Sequence, residues 1–307
     1  MSPSPSITTF STRRSSSYGV VIVLYGILSL IWGYNWVVMK SALQYVGPFD
    51  FAALRGLVGV LSLFFALTVM RRPLRPQVLG SIVLLGLLQN TGFLTFVNWA
   101  LESGGAGNTA VLVYTMPFWT LIISWSILGE KLRGLQWVAV GLALCGLILI
   151  LEPWQAQSGF FSKVLAILGG VSWALSAVVA KKLHLRKDMD LLSLTAWQMV
   201  FGVIPLVLLA LAIPSRPIEW SGYLAFALAF AGVLGTAVAW LLWLYVLAHL
   251  SAGTASLNTL AIPVIAVLFS WVELGERPQA NEFAGMLVIA FALLLVFFLA
   301  MPRRHPQ

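Results

Sequence analysis

The sequence is poor in charged residues, cysteine and histidine. Charged residues make up 9% of its 307 residues, hydrophobic residues make up 60%, and the mean hydropathy is +0.95. Burying so much apolar surface in water would need a core larger than the chain could cover, so a soluble globular protein is excluded and lipid must be the solvent. The single Cys145 cannot form an internal disulfide, and we expect it to be a small residue packed in the core.

Motifs for catalysis and energy coupling are also missing. The chain has no GxxxxGK[ST] phosphate-binding loop, no HExxH and no His/Cys cluster, so we expect no ATP-driven step, no cofactor and no metal. No carboxylate lies in the middle of an apolar run, so a proton relay has no obvious carrier. We expect the protein not to be an enzyme; an intramembrane enzyme or a sensor without flux is a remote alternative.

Apolar runs long enough to cross a membrane recur along the whole chain. A span needs about 20 residues at a rise of about 1.5 Å each. Ten such runs lie at about 19–40, 48–70, 77–101, 105–128, 134–151, 161–181, 190–213, 219–247, 252–274 and 280–301. The sequence therefore predicts an all-α polytopic membrane protein of ten transmembrane helices.

The basic residues concentrate on one side of the predicted membrane. If the N-terminus is cytoplasmic and the spans alternate, 13 Lys and Arg lie on the cytoplasmic side, 4 lie on the other side, and Arg55 lies within a helix. This distribution follows the positive-inside rule. We therefore interpret the net charge of +8 as a topology signal rather than a nucleic-acid footprint, and we expect both termini in the cytoplasm. Residues 1–18 are rich in Ser, Thr and Pro and are expected to be disordered, and residues 302–307 form a short cytoplasmic tail.

The chain repeats itself at a distance of 146 residues. Residues 107–131 and 253–277 align without a gap and share seven of twenty-five residues. The identical pairs are Gly107/Gly253, Pro117/Pro263, Ser124/Ser270, Trp125/Trp271, Leu128/Leu274, Gly129/Gly275 and Glu130/Glu276. Outside this stretch we align Trp32 with Trp173, Lys40 with Lys181, Arg55 with Gln198, Gly59 with Gly202, and Gly86 with Gly232.

The paired Pro117 and Pro263 interrupt a hydrophobic segment at the same place in each half. Such matching interruptions are typical of transporters built from inverted repeats. The first repeat covers residues 19–152 and the second covers residues 160–301. Because each repeat has five helices, an odd number, the second must enter the membrane upside down relative to the first.

Two five-helix repeats, each with a proline in its fourth helix and a Leu-Gly-Glu exit, resemble the drug/metabolite transporter superfamily and, within it, the EamA family, over residues 19–301. The abundance of tryptophan further resembles the YddG-type exporters of aromatic amino acids. The resemblance implies export of small metabolites across a bacterial inner membrane. It also implies a central cavity lined by the first, third, fourth, sixth, eighth and ninth helices.

Polar and aromatic side chains deep in the spans are the candidates for lining such a cavity. A polar group in hydrocarbon is costly unless it meets a partner or water, and a mid-helix tryptophan is not explained by the interfacial aromatic belt. The candidates are Trp32, Asn35, Gln89, Asn90, Thr95, Asn98, Tyr114, Trp173, Ser176, Trp240, Trp243 and Asn258. Helix–helix packing is the alternative role for each of them.

Four further residues mark predicted moving parts. A mid-helix proline removes a backbone hydrogen bond, so we predict hinges at Pro117 and Pro263, with a simple packing kink as the alternative. Glu130 and Glu276 end their helices, where they would form caps or loop contacts; a gating pair is the alternative.

Arg55 is the one charge placed clearly inside a span. It could snorkel outward, pair with Asp50, or meet a substrate carboxylate. The structural interpretation is favoured because the second helix is not an expected cavity wall.

An amide-rich third helix facing an aromatic eighth helix would suit an amphiphilic substrate that carries a ring. We predict export of aromatic and other hydrophobic amino acids by alternating access, with weak or absent proton coupling. Lipophilic aromatic cations are the alternative substrates, disfavoured by the lack of a cavity carboxylate. The expected partners are this small-molecule substrate and membrane lipids. Nothing in the sequence requires an oligomer, so we expect a monomer.

Overall fold

The computed structural model describes residues 13–75, 78–129, 134–151, 159–184, 190–242 and 252–300, and these residues form ten helices. In chain order they are α1 (Arg13–Ala42), α2 (Pro48–Val69), α3 (Leu79–Ser103), α4 in two pieces (Ala106–Val113 and Met116–Leu128), α5 (Gly134–Leu151), α6 (Phe160–His184), α7 (Leu191–Ala212), α8 (Gly222–Leu242), α9 (Ala252–Leu274) and α10 (Ala280–Ala300). The described residues contain no strand.

The all-α polytopic architecture is confirmed. By length and composition, seven helices in the described part can cross a membrane, namely α2 to α8, and α9 and α10 add shorter apolar stretches at 262–274 and 280–295. α1 begins at Arg13, six residues before the predicted span, so residues 13–18 continue the helix. Residues 1–12 and 301–307 lie outside the described residues.

A belt of exposed apolar side chains surrounds the bundle. Leu61, Phe65, Leu211 and Val272 are each 70–80% exposed. So large an apolar surface would be unfavourable in water, and it is the surface expected of a protein solvated by lipid. Cys145 is also exposed, so the expectation that it packs in the core is wrong. Its helix, α5, buries the neighbouring face through Ala143 and Gly146.

The helix contacts follow the repeat. α1 packs on α9 while α6 packs on α4, and α3 packs on α7 while α8 packs on α2. Since α1 corresponds to α6 and α3 to α8, each contact has its counterpart with the two halves exchanged. α2 with α7, and α5 with α10, pack on each other as corresponding helices. This is the pattern expected of two repeats related by a pseudo-twofold axis.

Glycines allow the closest of these contacts. A Cβ added to Gly202 of α7 would lie 2.5 Å from Gly86 O of α3, and one added to Gly86 would lie 2.8 Å from Gly202 N. In the corresponding α8–α2 contact, a Cβ on Gly232 would lie 3.1 Å from Arg55 O. In lipid, helices associate by backbone approach at small residues, so these glycines hold the two halves together.

Two glycines explain the repeated Leu-Gly-Glu motif. Gly129 ends α4 with φ 67° and Gly275 ends α9 with φ 68°. A left-handed residue after the last turn is a common way to end a helix, and glycine adopts it without steric cost. The motif is thus a helix stop placed at the same point of each half.

Candidate transport site

The fourth helix of each half carries a proline but has a different local structure. α4 is interrupted at Tyr114 and Thr115, and Pro117 lies in the first turn of its second piece, where the missing N–H costs little. Thr115 stabilises the break, since its Oγ1 donates to Leu112 O at 2.6 Å and accepts from Trp119 Nε1 at 3.0 Å. α9, by contrast, is continuous through its buried Pro263. The hinges at Pro117 and Pro263 remain predictions.

The third helix of each half contains a π-helical segment. These segments are Gly86–Gly92 in α3 and Phe230–Val238 in α8, and the repeat distance of 146 residues superimposes one on the other. π-segments within α-helices are frequent at functional sites. Neither hydropathy nor the alignment predicted them; the aligned glycines Gly86 and Gly232 prove to lie within them.

Each π-segment is bonded to the first helix of the opposite half. Trp32 Nε1 of α1 donates to Gly235 O at 3.1 Å, and Ser172 Oγ of α6 donates to Leu88 O at 2.6 Å. Trp32 corresponds to Trp173, the residue after Ser172. The two halves are therefore joined by corresponding contacts beside the candidate residues.

Aromatic rings meet where α3, α6 and α8 converge. Trp173 stacks on Trp240 with a centroid distance of 6.3 Å and an angle of 23°, and it contacts Phe93 edge-to-face at 4.9 Å. A second pair, Trp36 and Tyr114, has its centroids 6.3 Å apart. Offset stacked and edge-to-face pairs are favourable arrangements for aromatic rings. Trp173 and Trp240 thus come together as an aromatic surface, and Tyr114 lies at the α4 break.

Three polar side chains of α3 form hydrogen bonds with α7. Gln89 Oε1 accepts from Gln198 Nε2 at 2.9 Å, and Asn90 Nδ2 donates to Gln198 O at 3.4 Å. Thr91 Oγ1 donates to Gly202 O at 2.7 Å. The structure therefore places Gln89 and Asn90 in a helix–helix contact. Which face of α3 meets α7 depends on the glycine crossing, a feature that the spacing of polar residues does not reveal.

The remaining polar candidates differ in burial and in hydrogen bonding. Asn98 is fully buried; its Nδ2 donates to Leu94 O at 2.7 Å, while its Oδ1 has no partner among the described residues. Asn35 is 7% exposed, and its Oδ1 likewise has no partner in the described part of the chain. Ser176 Oγ donates within its own helix to Trp173 O, and Thr95 is half-buried. Asn35 and Asn98 therefore present two buried acceptors without a partner in the described part of the chain, and buried acceptors are normally satisfied.

Arg55 lies inside the bundle and does not pair with Asp50. Its side chain is 6% exposed, and its Nη1 contacts Met39 Sδ at 2.6 Å. The carboxylate of Asp50 instead accepts a hydrogen bond from Ser215. Of the roles that the sequence leaves open for Arg55, pairing with Asp50 is therefore not realised in the structure.

At one end of the bundle, which we call the Lys40 end, polar contacts join helices of both halves. Lys40 Nζ donates to Leu101 O at 2.7 Å, and Ser162 Oγ donates to Ala100 O at 2.6 Å. Glu276 Oε2 accepts from Ser270 Oγ and, at 3.4 Å, from Gly107 N in the first turn of α4.

Glu276 thereby joins the exit of α9 to the start of α4. Carboxylates are stabilised at helix N-termini by the unpaired N–H groups and the helix dipole. Its counterpart Glu130 lies outside the described residues, as do Trp243 and the side chain of Asn258.

Ten membrane helices in two repeats, with interruptions at matching places, define the class of membrane transporters built from repeated halves. Comparison with known proteins agrees, since the EamA-like transporter family matches residues 19–152 and 161–298. The chain therefore belongs to the EamA-like transporter family.

Two relatives support the same conclusion, and a solved structure shares the fold. The chain is 31% identical to the uncharacterized transporter YoaV of Bacillus subtilis, over 91% of this chain and 98% of YoaV. It is 28% identical to the uncharacterized inner membrane transporter YedA of Escherichia coli K12, over 91% and 90% of the two chains. A solved crystal structure, 17% identical, aligns with a TM-score of 0.64 over 92% of this chain and 98% of the other, which shows a shared fold.

Proposed function

We propose that this transporter exports aromatic and other hydrophobic amino acids from the cytoplasm by alternating access of its two halves. The observation that carries the proposal is the aromatic surface of Phe93, Trp173 and Trp240, formed by helices of both halves. An aromatic substrate ring would stack there in place of, or beside, these side chains. The buried acceptors Asn35 and Asn98 supply polar recognition on the neighbouring helices.

The orientation of the protein in the membrane rests on the charge distribution. The 13 basic residues assigned to the cytoplasmic side against 4 on the other side orient both termini inward, which puts the Lys40 end on the outer face. The relative YedA is named an inner membrane transporter, in keeping with a bacterial-type inner membrane. We propose that the protein acts as a monomer, with lipid covering its apolar belt.

The contact between Glu276 and the start of α4 is suited to an outer gate. It bridges α9 and α4 at the Lys40 end, and the family resemblance assigns both helices to the cavity wall. Opening to the outside would require this contact to break while the bundle stays folded. Motion at Pro117 and Pro263 would accompany it.

Lipophilic aromatic cations are the second candidate substrates, since the same rings would bind them through cation–π contacts. The buried cation Arg55 disfavours them, because like charges repel within a site of low polarity.

Export from intact cells tests the proposed function. Cells that express the protein are fed the dipeptides Gly-Trp or Gly-Lys, and the free amino acid released into the medium is measured. We expect faster release of tryptophan than in cells with an empty vector, and unchanged release of lysine. Equal release of tryptophan from both cell types, with the protein present in the membrane, contradicts the proposal, and protection against lipophilic dye cations would then favour the second candidate.

A further inference from the structure

Arg55 is a buried cation without a counterion in the described structure. It lies seven residues after the start of α2, roughly 10 Å along the helix axis at the usual rise, and only 6% of it is exposed. The ion pairs of the described residues are Arg72–Asp190 and Lys163–Glu282, and neither involves Arg55. A charge at this depth is costly unless something pairs with it.

The contacts of the guanidinium leave most of its hydrogen-bonding capacity unused. It has five N–H donors, and among the described residues the hydrogen-bond partner is Met39 Sδ, a weak acceptor. Asp50, the nearest acidic residue in sequence, is engaged by Ser215. An anionic group from outside the protein would complete this environment.

A buried acceptor lies on the same side of α1. Asn35 precedes Met39 by four residues, so the two side chains share one face of α1 at successive turns. Asn35 Oδ1 lies 3.0 Å from the position that a Cβ on Gly235 would take, and Arg55 O lies 3.1 Å from the corresponding position on Gly232. Arg55 and Asn35 therefore flank the π-segment of α8, where α1, α2 and α8 meet.

Trp32 adds an aromatic group to this junction. Its Nε1 donates to Gly235 O, which fixes the indole against the same π-segment. The junction thus combines a cation with free donors, an unpartnered carbonyl acceptor and an indole ring. A ligand that carries a carboxylate, an ammonium group and a ring matches all three.

We propose that Arg55 binds the carboxylate of the transported amino acid, that Asn35 Oδ1 accepts a hydrogen bond from its ammonium group, and that Trp32 contacts its ring together with the aromatic surface of Phe93, Trp173 and Trp240. This inference rests on the proposed function and specifies its substrate class as zwitterionic amino acids. A guanidinium binds a carboxylate through two parallel N–H···O bonds, so lysine is not equivalent to arginine at this position. Substrate binding neutralises the buried charge.

Inhibition of labelled tryptophan counterflow in proteoliposomes tests this inference. The inhibitors are tryptophan, tryptamine, which lacks the carboxylate, and indole-3-propionate, which lacks the ammonium group. For the wild type we expect each analogue to be about 10- to 100-fold weaker than tryptophan, as for the loss of a charge-assisted hydrogen bond. Arg55→Met should make the inhibition constants of tryptophan and tryptamine equal. Asn35→Leu should make the inhibition constants of tryptophan and indole-3-propionate equal.

Two controls separate a binding role from a structural one. Arg72→Met removes an arginine whose side chain is 52% exposed and should leave all three inhibition constants unchanged. Arg55→Lys keeps the charge but not the paired donors, and it should weaken inhibition by tryptophan more than inhibition by tryptamine. Wild-type counterflow that tryptophan and tryptamine inhibit equally overturns the inference and leaves the proposed function standing. The same inference is overturned if Arg55→Met or Arg55→Lys protein keeps the wild-type preference for tryptophan over tryptamine. No counterflow of any amino acid by folded wild-type protein overturns the proposed function as well.

Discussion

The Ser172 hydroxyl of α6 donates a 2.6 Å hydrogen bond to Leu88 O, a carbonyl within the π-segment of α3. The corresponding contact in the other half is made by Trp32, whose indole N–H donates to Gly235 O in the π-segment of α8. The wider turn of a π-helix changes the backbone hydrogen-bond pattern of the helix, and in lipid each carbonyl needs a partner from the protein. These two bonds therefore stabilise the interrupted helices and join the halves.

Replacing Ser172 should destabilise the bundle because Leu88 O loses its cross-helix donor. We expect Ser172→Ala to lower the free energy of unfolding by about 1 kcal/mol, in the range measured for hydrogen bonds between membrane helices. The measurement is the thermal unfolding midpoint of purified protein in detergent. Ser126→Ala is the control, since the Ser126 hydroxyl bonds within its own exposed turn to Ile123 O. Equal midpoints for the two variants would contradict this role.

The close crossing of α3 and α7 should tolerate no side chain at Gly202. A Cβ there would lie 2.5 Å from Gly86 O, and neither backbone can yield without separating the helices. We expect Gly202→Ala to cost about 1–3 kcal/mol, as overpacking usually does, and to reduce the yield of monodisperse protein. Gly141→Ala is the matched control, because a Cβ at Gly141 meets nothing within 4 Å. Wild-type stability of Gly202→Ala would show that this contact is looser than described.

Weakening the Glu276 contact should open the Lys40 end. Glu276→Gln removes a charged acceptor from the first turn of α4, where a carboxylate is worth about 0.3–1 kcal/mol from the helix dipole alone. In a Cys145→Ala background, a cysteine placed at Thr109, which is 2% exposed, reports the opening. We expect an impermeant maleimide to label it several-fold faster when Glu276 is replaced. Glu219→Gln, which changes an exposed carboxylate, should leave the rate unchanged. Equal rates in the two variants would rule out the gate.

The aromatic surface should determine affinity for ring-bearing substrates. Trp173→Leu removes the stacking on Trp240 and the contact with Phe93. Aromatic pairs contribute about 0.5–1.5 kcal/mol beyond area burial, so we expect KM for tryptophan to rise about 2- to 12-fold. Trp173→Phe keeps a ring and should restore most of the loss. If both variants transport tryptophan with the wild-type KM, the surface serves packing alone.

Much of the fold follows from the sequence because hydrophobic length determines membrane spans. Ten apolar runs predicted ten helices, and the Leu-Gly-Glu repeat corresponds to the left-handed Gly129 and Gly275. The two π-segments were not predicted, although Gly86 and Gly232, which the alignment pairs, lie within them. An extra residue in a helical turn leaves the hydropathy pattern unchanged, so no periodicity argument detects it.

The site was harder to predict because polarity does not tell which neighbour a side chain meets. Gln89 and Asn90 form hydrogen bonds with α7, whereas Asn98 of the same helix has a buried acceptor without a partner among the described residues. Pro117 interrupts its helix and Pro263 does not, although their sequence contexts match. The sequence left three roles open for Arg55, and the structure removes one of them because Asp50 bonds to Ser215. Each difference depends on tertiary packing that a single sequence does not encode locally.

Counterflow of labelled tryptophan in proteoliposomes preloaded with unlabelled tryptophan tests the central claim most directly. A carrier that alternates between two faces exchanges substrate across the membrane, so the account predicts a transient accumulation of label with tryptophan inside and none in the parallel lysine experiment. Absence of accumulation with tryptophan, from protein shown to be folded and inserted, would contradict the claim that this member of the EamA-like transporter family carries aromatic amino acids.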